Sequence, residues 1–159
     1  MKRQSFLTVL AVFLAFFGCA VKKNVPVDFH GMRELLKSHT LVVAYKDGTV
    51  KTYDDKGIKP LFRHLEKGNF KNTYVFDKVT GKASLLVLVY GGAAELYTGV
   101  LSKEAIPVLE KYNVRYSADK IVDYILNEAE DGKCPMEKAV ADIDDPQEAY
   151  KVLKENFGK

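Results

Sequence analysis

Cysteine is nearly absent: Cys19 and Cys134 are the only two in 159 residues, and no Cys pair sits at metal-ligand spacing. The three histidines, His30, His39 and His64, are scattered, so no His/Cys cluster announces a zinc centre. No basic run exceeds two residues. Without residues 1–18, which hold Lys2 and Arg3 and no acid, 22 Lys plus Arg face 21 Asp plus Glu. That balance argues against a nucleic-acid binder working by phosphate neutralisation. A Walker loop is also missing: its first Gly and its Ser/Thr fall on Phe76 and Ala83 around Gly81-Lys82. No internal repeat or low-complexity tract is visible, and the length suits one domain.

The longest apolar run, Phe6 to Phe17 interrupted only by Thr8, follows basic Lys2 and Arg3 and precedes Gly18, Cys19 and Ala20. It is shorter than the roughly 18 to 20 residues a membrane-spanning helix needs, so residues 1–18 are predicted to be an export signal. Cys19 after a small residue resembles the lipobox of bacterial lipoproteins, which implies acylation of Cys19. Ala20 after it would then favour an outer membrane. Phe16 and Phe17 depart from that pattern, and a simple signal peptide, an uncleaved anchor or a chance apolar start are the alternatives. Acylation would leave Cys134 alone and exclude an intramolecular disulfide. The expected location is exported, membrane-attached or periplasmic, and cytoplasmic if the segment is no signal. Residues 19–30, with Pro26, read as a tether, and 31–159 as the domain.

Along that domain Met32 to Lys37 reads as a short helix, then Thr40–Tyr45 and Thr49–Tyr53 as a hairpin about Asp47-Gly48. Ile58, Leu61, Phe62 and Leu65 lie on one face of a helix with Pro60 in its first turn. A strand is predicted over Thr73–Asp77, a buried helix over Leu85–Tyr90 and a strand over Glu95–Val100. A helix capped by Ser102 and a short strand at Val114–Tyr116 follow. Asp119–Glu128 is predicted helical from Ile121, Val122, Ile125 and Leu126, and Asp145 caps a last helix through Phe157. Alternating β and α after a hairpin imply a three-layer α/β fold, a mixed sheet of about five strands flanked by helices.

Chemistry is expected at the junction "DKVTGK". Asp77 and Lys78 end a central strand, and Gly81 and Lys82 begin the buried helix after it. Open α/β sheets bind ligands at such strand ends, where helix N–H groups converge. Lys59 at another helix start joins Asp77, Lys78, Gly81 and Lys82 as a candidate anion-binding set. The alternative for Lys82 is a polar helix end that simply meets water. Cys134 and Glu137 form a second candidate: a Cys at a helix start with Pro135 and a carboxylate in the first turn, alternatively a plain capping turn.

The hairpin, "GIKPL", "DKVTGKAS", "ELYTGVLSKEAIPVLEKY" and "CPMEKAV", spread over residues 31 to 155, resemble an uncharacterised bacterial domain family that shares the cytidine deaminase-like fold. That family is normally seen without an export signal, so Met1 to Cys19 is a departure. The resemblance implies that zinc-ligand motifs would fall near Gly57–Leu61 and Val79–Ala83, and neither stretch holds His or Cys. No metal or other cofactor is therefore expected. The same resemblance makes a nucleotide, or its phosphate end, the expected ligand. Three readings stand: a non-catalytic domain binding a nucleotide-like anion; an enzyme acting without zinc on a nucleotide or ADP-ribosyl compound; and an interaction module. A homodimer through edge strands or helices is compatible with all three.

Overall fold

The computed structural model describes residues 25–158, so the predicted signal and Cys19 lie outside the described residues. Twelve residues of the hairpin segment, Leu41 to Thr52, illustrate how the sheet is built. β1 (Leu41–Tyr45) and β2 (Val50–Tyr53) pair antiparallel across a turn in which Gly48 takes φ +90° and the Asp47 carboxylate accepts the Thr49 N–H at 2.9 Å. The turn chemistry of Asp-Gly supplies both features.

Three further strands complete one sheet in the order β2-β1-β3-β4-β5. β3 (Thr73–Thr80) lies antiparallel to β1, whereas β3, β4 (Glu95–Ser102) and β5 (Arg115–Val122) are mutually parallel. The sheet is thus mixed, as alternating β and α required.

Helices cover both faces unequally. On one side lies α1 (Phe29–Ser38), which starts three residues before the expected Met32 because Asp28 caps it, accepting the Gly31 N–H at 3.0 Å. It buries Leu36 on Val42, Ala44, Phe76 and Tyr97. On the other side lie α2 (Lys59–Leu65), α3 (Lys82–Tyr90), α4 (Ile106–Lys111), α5 (Pro135–Ala139) and α6 (Pro146–Phe157). α3 is apolar all round, with Leu85, Leu86, Val87 and Leu88 fully buried, and so it occupies the centre of its layer. Each such side chain contributes about 1.5–3 kcal/mol. Because both faces of β1 are covered, Leu41 to Ala44 are all buried and the strand shows no alternation.

One predicted element is wrong. Asp119–Glu128 forms no helix: β5 runs to Val122, paired with β4 through Ser102↔Val122, and an isolated bridge joins Leu126 to Lys133. The apparent helical spacing of Ile121, Val122, Ile125 and Leu126 is split between a strand and a loop, and β4 supplies a ladder that the local pattern does not reveal. Among the described residues no helix is long and apolar enough to cross a membrane.

Candidate functional site

Strand alternation divides the predicted cluster before any ligand is considered. In β3, Val75 joins the core under α3 and Phe76 the core under α1. Asp77 therefore stands on the α3 side opposite Leu41, while Lys78 turns to the α1 side, where its Nζ donates to the Lys37 carbonyl at 3.1 Å.

Asp77 accepts hydrogen bonds from Thr80 Oγ1 at 2.9 Å and from the Val79 N–H at 3.4 Å. Burial of the carboxyl pushes its pKa up to about 7, against the lowering effect of those bonds. The group is poised to change charge near neutrality.

Five and six residues further on, the free N–H groups of α3 already hold an anion. Glu137, buried in α5, accepts from the Lys82 N–H through Oε2 and from the Ala83 N–H through Oε1, both at 2.9 Å. A side chain at Gly81 would collide with that carboxylate. Gly81 takes an ordinary φ of −100°, so glycine serves close approach here and not backbone freedom. Burial raises the Glu137 pKa, opposed by the Ala83 and Lys82 N–H groups. Lys82 is also engaged: its Nζ donates to the Ala141 carbonyl at 2.8 Å and pairs with Asp144 at 2.9 Å. The two sequence motifs, Asp-Lys-x-x-Gly-Lys and Cys-Pro-x-Glu, are thus halves of one joint.

Lys59 is exposed at the start of α2 and forms no ion pair among the described residues. Gly81, Lys82 and Glu137 come together, then, while Asp77 bonds within its own turn and Lys78 faces the other side of the sheet. Cys134 is the buried N-cap residue of α5, its N–H bonded to the Ile125 carbonyl at 2.8 Å. A reactive thiol at Cys134 would need a base, and His39 and His64 both have other partners. His39 Nδ1 lies 2.7 Å from Asp54. His64 lies in the core, stacked on Phe70 and bonded to Tyr53 and the Asn69 carbonyl at 3.0 Å each. A carbonyl only accepts, so Nε2 carries the His64 proton and Nδ1 accepts from the Tyr53 hydroxyl. Burial lowers the His64 pKa.

The groove that sequence reasoning missed lies on the opposite face. Beyond the edge of α1 the sheet is uncovered, leaving a groove of about 400 Å³. His30, Arg33, Glu34 and Lys37 of α1, Lys78 of β3, Tyr97 and Gly99 of β4 and Asp119 of β5 line it, and Glu34 pairs with Lys37 at 2.7 Å. The Arg33 guanidinium meets both Asp119 oxygens, at 3.0 and 3.2 Å, and lies 4.8 Å from the centre of the Tyr97 ring. The Tyr97 hydroxyl donates to Asp119, and burial followed by that carboxylate raises its pKa. No local signal joins Arg33 to a partner 86 residues away, and Asp119 lies in β5 and not in the helix that the apolar spacing predicts. A second groove of about 220 Å³, lined by Phe29, Tyr74, Arg115 and Tyr116, shares the Tyr97 wall. Among the described residues no group of three or more His, Cys, Asp or Glu side chains is placed to hold a metal ion.

A similar architecture is found in a solved structure of a DUF1893 family protein, TM1506, from Thermotoga maritima. It matches with a TM-score of 0.71 and 25% identity over 84% of this chain and 95% of that one. No curated protein matches the chain. The model of the family described as TM1506, domain of unknown function (DUF1893), matches residues 32–157, and the chain belongs to that family.

Proposed function

We propose that the chain carries a non-catalytic binding domain for a small nucleotide-like anion, built on a cytidine deaminase-like scaffold without zinc ligands. The single observation that carries this reading is the groove that Arg33, Lys37 and Lys78 share with Tyr97, the Arg33 guanidinium lying 4.8 Å from the centre of the Tyr97 ring. A planar base stacks on such an aromatic and guanidinium wall, and phosphate oxygens suit the lysines. Lys78 also lies near the C-terminal ends of the parallel strands, the usual location of ligands in open α/β sheets. Gly99 places no side chain in the groove.

This moves the site away from the start of α3, where Glu137 takes the place an external anion would need. Of the residues expected from sequence, Lys78 alone remains in the proposed contact set. The export signal and the acylation of Cys19 are part of the same proposal. They rest on Lys2, Arg3 and the run Phe6 to Phe17, and they put the domain at a membrane.

The test is a thermal-shift panel of AMP, UMP, ADP-ribose and inorganic phosphate, followed by calorimetry. A nucleotide that raises Tm in the wild type and fails to do so with Lys78→Ala and Arg33→Ala supports the reading. No response to any of them at millimolar concentration overturns it. A second reading, catalysis, is favoured by one feature, the Asp77 carboxyl at a strand end, whose pKa burial pushes up to about 7. Turnover of a nucleotide that disappears in Asp77→Asn would put that reading first.

A further inference from the structure

The chain enters the fold at the end of the molecule where the parallel strands begin. The Val25 N–H donates to the Lys46 carbonyl at 2.9 Å, and the Val25 side chain lies beside Gly48 of the hairpin turn. Four lysines from three segments surround this point. The register Tyr45↔Thr73 sets Lys46 beside the start of β3, which Lys71 precedes. Lys51 Nζ lies 5.2 Å from the centre of the Tyr45 ring, and Gly68, next to Lys67, faces the Tyr45 hydroxyl.

Lys67 and Lys71 are exposed, and Lys46 and Lys51 are half-buried. None of the four is in an ion pair among the described residues. Two carboxylates are close in sequence. Asp47 accepts the Thr49 N–H, and Glu66 is neutralised by Lys154 at 2.8 Å. In the sequence, Lys22 and Lys23 stand directly before this surface, and the apolar run ends at Phe17.

The geometry points to this lysine-ringed end as the face that lies against an anionic lipid bilayer. From Phe17 to Val25 the chain spans no more than about 28 Å even when fully extended, and from Cys19 less. With acylated Cys19, or the uncleaved run, in a membrane, the hairpin end is therefore the part of the domain held nearest the leaflet. Each lysine close to an anionic surface favours docking by roughly fivefold, so Lys46, Lys67 and Lys71 together favour it by roughly a hundredfold. The docked orientation turns the far end of the domain, with Asp123 and the loop to Lys133, away from the membrane. The inference rests on the membrane reading of the apolar run and makes no use of the Arg33–Tyr97 groove, so either can fail without the other.

Hydrogen exchange of the full chain on vesicles tests it. Amides of 46–51 and 67–72 are expected to exchange at least about tenfold more slowly on phosphatidylglycerol–phosphatidylcholine vesicles than on phosphatidylcholine alone. The variant K46E/K67E/K71E, altered only outside the core, keeps its melting temperature and loses the slowing. Equal exchange on the two lipids, protection centred on 123–133, protection retained in the variant, or no association with either vesicle overturns the proposal. Equal protection by inorganic phosphate without vesicles also overturns it, by making the lysines a phosphate site.

Discussion

Replacing Glu137 by Ala tests the joint between α3 and α5 at its centre. The substitution removes the acceptor of two N–H groups, those of Lys82 and Ala83, at the start of a helix buried almost all round. Each buried donor left unpaired costs about 1–3 kcal/mol, and a water admitted to the vacated space recovers part of it. Relief of the carboxylate's own burial, the cause of its raised pKa, offsets a further part. The net expected loss is about 2–4 kcal/mol, which for a domain of this size lowers Tm by roughly 5–15 °C. Urea unfolding followed by circular dichroism at pH 7 measures it, with the more exposed Glu104→Ala as control. Gly81→Ala should be destabilising in its own right, because its Cβ would occupy the space of the Glu137 carboxylate. That clash vanishes in the double variant, so the two losses must fall short of additivity by about 1 kcal/mol or more. A loss below about 0.5 kcal/mol for Glu137→Ala, or full additivity with Gly81→Ala, would refute the reasoning.

Further expectations concern charge. Asp77 keeps its proton in the folded state up to about pH 7, against 3.8 for an ordinary carboxyl, so its contribution to stability declines as pH rises from about 4 through 7. Asp77→Asn should therefore stabilise the protein by about 2–4 kcal/mol at pH 8 and hardly at all at pH 4, read from Tm across that range. His64 works in the opposite sense: its pKa is below 6.5 in the fold, so the unfolded chain takes up the proton first and stability drops as pH falls below about 6.5. His64→Phe removes that acid slope in a pH series of unfolding curves, and it costs about 1–3 kcal/mol at pH 8 by stranding the Tyr53 hydroxyl and the Asn69 carbonyl. Arg33→Ala breaks an exposed pair with Asp119 and should change stability by less than about 1 kcal/mol while abolishing nucleotide binding, a separation that calorimetry and melting together reveal.

Much of the fold was legible because its strongest signals are local. Asp47-Gly48 dictates its own turn, Asp145-Pro146 its own helix start, and the run Leu85 to Leu88 its own burial. β5 was half missed because its length is set by pairing with β4, a contact between segments about 20 residues apart. The junction at Gly81-Lys82 was correctly placed at a strand end and a helix start, yet its occupant was not. A helix N-terminus attracts any carboxylate, and sequence alone does not say that Glu137, more than 50 residues later, arrives first. The alternation of β3 was readable in principle: Asp77 and Lys78, as neighbours in a strand, had to point to opposite faces and so could not share one pocket with Lys82. Arg33 and Asp119 gave no such hint, since only the folded sheet brings them within 3.0 Å.

The most direct test of the binding claim is an amide NMR titration of the protein with AMP, recorded at fixed pH. The account predicts saturable shifts concentrated on Arg33, Lys37, Lys78, Tyr97 and Gly99, with Lys82, Ala83 and Glu137 unmoved. Shifts centred instead on Lys82 and Ala83 would mean that the ligand displaces Glu137 from the start of α3, and an unchanged spectrum would mean that the groove binds no nucleotide.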